Sequence, residues 1–130
     1  MKIKYKVVKR RTRMSAMING NSKYAIKYLD GARSYADENT LGIFVFETLA
    51  AAESWANAWW SGYDDGKDLI ILMVLPIGRG KRVTWIAEGI ESDTLDDFYN
   101  DYENSLHVEA PDRTMAYPGV DVLGEYEYAS

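Results

Sequence analysis

Hydrophobic and polar positions alternate at the start of the chain. Ile3, Tyr5 and Val7 fall on one side and Lys4 and Lys6 on the other, the period of a half-buried strand, so the expectation is a strand with a lysine-coated outer face. Asn19-Gly20 separates Ala16, Met17 and Ile18 from Tyr24, Ala25 and Ile26, and that dipeptide readily takes the positive φ angles of a tight hairpin turn. Asp30-Gly31 marks a second turn, and residues 41–46 are apolar and β-branched enough for a central strand. Thr48 then reads as a helix N-cap, with Leu49, Ala52, Ala56, Trp59 and Trp60 at helical spacing until Ser61-Gly62. Residues 69–75 are nearly unbroken in apolar side chains and predict a mid-sheet strand ended by Pro76, with a short strand over residues 83–86. Ser92 or Thr94 caps a second predicted helix, residues 93–103, whose first turn carries Asp93, Asp96 and Asp97, the sign favoured by the helix dipole. Beyond it, Pro111, Pro118, Gly119 and Gly124 punctuate short apolar pieces, so residues 120–123 either add an edge strand or drape over the core.

This order of elements predicts an α+β fold: a largely antiparallel sheet with two helices on one face. The 130 residues, 47% hydrophobic and 27% charged, are the size and composition of one domain with one core, spanning residues 1–130. The longest apolar run, residues 69–77, includes a proline and is about half of what a bilayer-spanning helix needs. A membrane partner is therefore not expected, and nothing near the N-terminus has the apolar stretch of a signal peptide. Zero cysteines remove disulfides and thiolate chemistry, which agrees with a cytoplasmic protein.

The net charge of -5 conceals a polarity along the chain. Seven of the fifteen basic residues lie between Lys2 and Arg13, whereas eleven of the twenty acids lie from Glu91 onward, where Arg113 is the only base. Two explanations fit: a charged partner, or mutual neutralisation of the two ends within the fold or across a homo-oligomer. The basic arm could also track nucleic-acid backbone, but an overall acidic chain repels what the arm attracts.

Three constellations could carry chemistry. Gly78, Arg79, Gly80, Lys81 and Arg82 follow the strongest strand, and two glycines with three cations can surround a phosphate or carboxylate. The spacing is neither that of a P-loop nor that of a dinucleotide fingerprint, and a solvated, charged turn accounts for the same residues. The second predicted helix exposes Asp96, Asp97, Asp101 and Glu103 beside Tyr99 and Tyr102. A face of regularly spaced negative charge can stand in for nucleic-acid phosphates against a basic surface, although such faces are commonly only solvated. Catalysis has less support. His107 is the only histidine and no Gly-x-Ser-x-Gly turn is present, so a catalytic triad lacks its parts. A zinc centre lacks ligands, and no cofactor or metal is expected. Only ADP-ribosyl transfer, which needs Arg, Tyr or Ser, and Glu side chains, survives as an enzymatic alternative.

The stretches Lys23-Tyr24 to Tyr28, Gly31, Thr40-Leu41-Gly42-Ile43-Phe44-Val45-Phe46-Glu47-Thr48, Ala51-Ala52-Glu53 and Pro76-Ile77-Gly78-Arg79-Gly80-Lys81 resemble small bacteriophage and bacterial proteins. The resemblance covers about the first two-thirds of the chain and contains no catalytic motif. It implies context only: small acidic proteins of this kind act stoichiometrically against host machinery, by blocking a nucleic-acid-binding surface or sequestering a signalling nucleotide. With the acidic helix, which lies outside the resemblance, the expectation is an inhibitor of anti-defence type acting in the host cytoplasm on a host protein with a basic surface through Asp96, Asp97, Tyr99, Asp101, Tyr102 and Glu103. The alternative is a binder that sequesters a phosphate-containing ligand or signalling nucleotide at Gly78 to Arg82.

Overall fold

The computed structural model describes residues 2–15, 26–37, 40–62, 69–87, 107–111 and 113–126. In chain order the elements are β1 (Lys4–Lys9), β2 (Arg33–Tyr35), β3 (Ile43–Phe46), α1 (Leu49–Gly62), β4 (Leu69–Ile77), β5 (Lys81–Arg82), β6 (Trp85–Ala87), β7 (His107–Glu109), β8 (Thr114–Tyr117) and β9 (Gly119–Glu125). Seven strands form one antiparallel sheet in the order β2-β9-β4-β1-β3-β8-β5, and β6 pairs with β7 in a separate two-stranded sheet.

Two strand pairs are halves of longer bent strands, and they curl the sheet. Only Pro118 separates β8 from β9, yet the two lie four places apart in the order. Likewise three residues, Gly78 to Gly80, carry the chain from β4 to β5, also four places away. Pairing resumes past both bends, shifted by one residue: Ile77 pairs with Gly119 before the corner, Lys81 with Ala116 and Arg82 with Met115 after it. A circuit of pairings follows, from β1 to β4, β4 to β9, through Pro118 into β8, then β3 and back to β1. The sheet is a small barrel closed through its bent strands. At the corner Gly78 has a φ of 83°, a conformation glycine takes without the steric penalty other residues meet.

Alternation along the strands sorts side chains to two sides. Val8, Ile43, Val45, Ile70, Leu72, Val74, Val120 and Val122 form the interior with Tyr28. Val7 and Ile71, one residue out of step, pack with Phe46 under Ala52, Leu49 and Trp55 of α1. Each fully buried Leu or Val contributes roughly 1.5–3 kcal/mol of apolar transfer, and Leu72, Val8, Val45, Val74, Val120 and Val122 are all in that state. The helix begins as its sequence predicts, with the Ala51 N–H donating to Thr48 Oγ1 at 3.1 Å. It is not long and apolar enough to cross a membrane, nor is any other helix among the described residues.

The expectation of two helices on one face of a sheet is corrected. Among the described residues there is one helix, and the sheet wraps into a barrel that α1 covers at one side. Residues 93–103, the second predicted helix, and the Asn19-Gly20 hairpin lie outside the described residues. The C-terminal stretch is neither edge strand nor drape, because β9 lies between β2 and β4 with Val120 and Val122 fully buried. Pro76 does not end β4, which runs on to Ile77. It lies past the last pairing with β1, Lys4 opposite Val74, so on that side its missing N–H costs the ladder nothing.

Candidate functional site

The β4–β5 corner carries the first candidate. Arg79, Lys81 and Arg82 are exposed, and the Tyr117 ring lies against Gly80 while the Pro118 ring lies against Gly78. Elsewhere arginines hold carboxylates: Arg10 faces Glu125 at 3.8 Å, Arg33 meets Asp121 at 2.8 Å, Arg113 lies 3.6 Å from Glu47, and Arg13 pairs with Asp30. None of the three corner cations has a carboxylate within ion-pair distance among the described residues. Trp85, 45% exposed, stands on β6 shortly after them. Residues 78–82 thus present three positive charges without a carboxylate partner among the described residues, two of them on the short edge strand β5, and the exposed Trp85 follows on β6.

A second site was not anticipated. The alternation of β1 places Lys6 in register with Leu72, on the interior side, and the lysine is 5% exposed. The lysine-coated outer face expected for β1 therefore does not form at this position. Lys6 Nζ donates to the Phe44 carbonyl at 2.8 Å and to Ser15 Oγ at 3.4 Å, and lies 5.4 Å from the centre of the Tyr28 ring. The reversal after β1 assembles this surround. Lys9 N–H bonds the Met14 carbonyl, Val8 bridges Ser15, and the Tyr28 N–H donates to the Arg13 carbonyl. Burial without a counter-charge lowers the Lys6 ammonium from its ordinary value to about 7. Burial also raises the Tyr28 phenol above its usual range.

Lys6 lines a cavity of about 50 Å³ with Val7, Ser15, Phe44, Val45, Phe46, Trp55, Ile86, Pro111 and Thr114. The Thr114 hydroxyl donates to the Pro111 carbonyl at 2.6 Å, which leaves its oxygen lone pairs available. A wider open groove, about 630 Å³, adjoins the cavity at Trp55 and Pro111. The period-2 pattern of residues 3–8 did contain the signal, since a strand buried on both faces must place Lys6 inside; only the burial of both faces was missing from it.

The acidic candidates Asp96, Asp97, Tyr99, Asp101, Tyr102 and Glu103 lie outside the described residues. Among the described residues, the opposed chain ends meet in a contact of the neutralising kind between Arg10 and Glu125. No group of three or more metal-ligating side chains comes together among the described residues. Comparison with known proteins gives a plain result. No family model, curated protein or solved structure matches this chain. The functional reading consequently rests on the physical chemistry of the two sites.

Proposed function

We propose that this protein is a binding protein that takes a phosphate-bearing small molecule of nucleotide type at the β4–β5 corner. The observation that carries the reading is the contrast in ion pairing: Arg79, Lys81 and Arg82 hold no carboxylate among the described residues, while Arg10, Arg13, Arg33 and Arg113 each do. Guanidinium groups bind phosphate oxygens in forked pairs and an ammonium adds a point charge. The exposed Trp85 supplies a face on which a base can stack, worth about 1–3 kcal/mol per base. Stoichiometric sequestration then follows, with no catalytic step.

A second reading is favoured by the acid-rich stretch from Glu91 onward: inhibition of a phage's bacterial host through a basic protein surface that meets Asp96, Asp97, Asp101 and Glu103. One pair of variants separates the two. Calorimetric titration with nucleoside triphosphates and with inorganic phosphate is expected to lose its signal in Arg79→Glu with Lys81→Glu and to keep it in Asp96→Lys with Asp97→Lys. Native mass spectrometry of material drawn from lysate at low salt gives the complementary readout. A protein partner lost only from the Asp96/Asp97 variant, without nucleotide binding by the wild type, refutes the first reading.

A further inference from the structure

We propose that Lys6 Nζ and the cavity around it form a second site, one that captures a small uncharged aldehyde or ketone as a reversible Schiff base. The hydrogen-bond inventory supports it. An ammonium has three donors, but its hydrogen-bond acceptors among the described residues are two, the Phe44 carbonyl and Ser15 Oγ. A neutral amine has two N–H donors and one lone pair, so these acceptors match it and leave the lone pair as a nucleophile. The depressed pKa of about 7 agrees with that protonation state. Among the described residues Tyr28 is the other titratable side chain against the amine, and it stays a neutral phenol because burial raises its pKa.

The cavity's chemistry selects the ligand. Its walls are mostly Val7, Phe44, Val45, Phe46, Trp55 and Ile86, which disfavour a charged guest. A volume of about 50 Å³ holds about four water-sized atoms, which suits a short-chain carbonyl compound. The adjoining groove past Trp55 and Pro111 supplies a way in. In the reaction the Nζ lone pair attacks the carbonyl carbon, the C=O π pair moves to oxygen, and proton transfer from nitrogen to that oxygen gives a carbinolamine. The remaining N–H proton then passes to that hydroxyl, relayed by the Ser15 and Thr114 hydroxyls along the cavity wall, and the hydroxyl leaves as water as the nitrogen electron pair forms the C=N bond. Addition of water reverses the step.

The test is reductive trapping of the full chain with propionaldehyde and sodium cyanoborohydride near neutral pH, followed by peptide mapping. The expected result is a propyl adduct on Lys6 formed at least about tenfold faster than on an exposed lysine such as Lys2, because an ordinary lysine is almost wholly protonated there. The Lys6 rate should saturate with aldehyde concentration, as capture in a cavity requires, and should level off above pH 7 while the rate at Lys2 keeps rising. Adducts confined to exposed lysines, or a Lys6 rate that stays linear in aldehyde and rises with pH in parallel with Lys2, would overturn the proposal. Because the readout is made on the wild-type chain, it does not depend on a Lys6→Met variant folding.

Discussion

Replacing Lys6 by methionine should flatten the dependence of stability on pH. The lysine is buried in the folded chain with a pKa of about 7, against 10.5 when unfolded. The unfolded state therefore binds the proton more tightly, and between those values stability rises with pH by up to about 1.4 kcal/mol per pH unit. Below pH 7 the folded chain must carry a buried ammonium, at a cost of roughly 5 kcal/mol; by about pH 9 roughly 2 kcal/mol of that cost remains. Wild type should thus gain about 2 kcal/mol relative to Lys6→Met between pH 7 and about pH 9. Methionine is also unbranched but one atom shorter, and it leaves the Phe44 carbonyl without its donor, an offset of about 1–3 kcal/mol that does not vary with pH. The slope is therefore the diagnostic quantity. The scan stops near pH 9 because Tyr28, whose phenol is raised by burial, contributes the opposite slope above its unfolded value. Urea titrations followed by tryptophan fluorescence at a series of pH values give the two curves. Parallel curves would refute the reasoning, since they would mean that Lys6 titrates as an exposed lysine does.

Two further predictions test the barrel. A methyl group at Gly42 would sit 2.7 Å from the Tyr117 carbonyl oxygen at a backbone φ of 123°, so Gly42→Ala should cost about 2–4 kcal/mol, read as a lowered urea midpoint; an unchanged midpoint would show that β3 and β8 are not packed this closely. The Asp121 carboxyl, lowered first by its hydrogen bond from Arg33, should titrate by carbon NMR below the usual carboxylate range and move back up in Arg33→Ala. If it titrates normally in the wild type, the contact between β2 and β9 at their exposed edge is absent in solution.

Much of the fold was legible where a single local rule decides the outcome. Thr48 before an apolar 3–4 spacing produced α1, and the apolar runs at residues 41–46 and 69–75 produced β3 and β4 in the sheet interior. What escaped was non-local. Pro118 reads as punctuation, which leaves residues 120–123 as an edge strand or a drape; but a proline at a corner can join two halves of one strand, and residues 114–125 close the barrel. The same blindness hid the Lys6 site. Alternation says which residues share a side, not whether water or Tyr28 waits there, and the partners of Lys6 come from residues 15, 28 and 44. The β4–β5 cations were visible as a motif, and the structure adds that they keep no carboxylate among the described residues.

The bent strand from β8 to β9 also bears on the order in which the chain can acquire its structure. On one side residues 4–9 can pair with β3 early, but on the other they must wait for residues 69–74, and neither half of the barrel is complete until residues 114–125 are in place. A chain growing on the ribosome therefore holds Val8, Leu72 and Val74 without their final cover until synthesis has passed Pro118, and the high sequence separation of these contacts makes the last closure slow. That interval, rather than any weakness of the finished barrel, is when this protein is most open to proteases and chaperones.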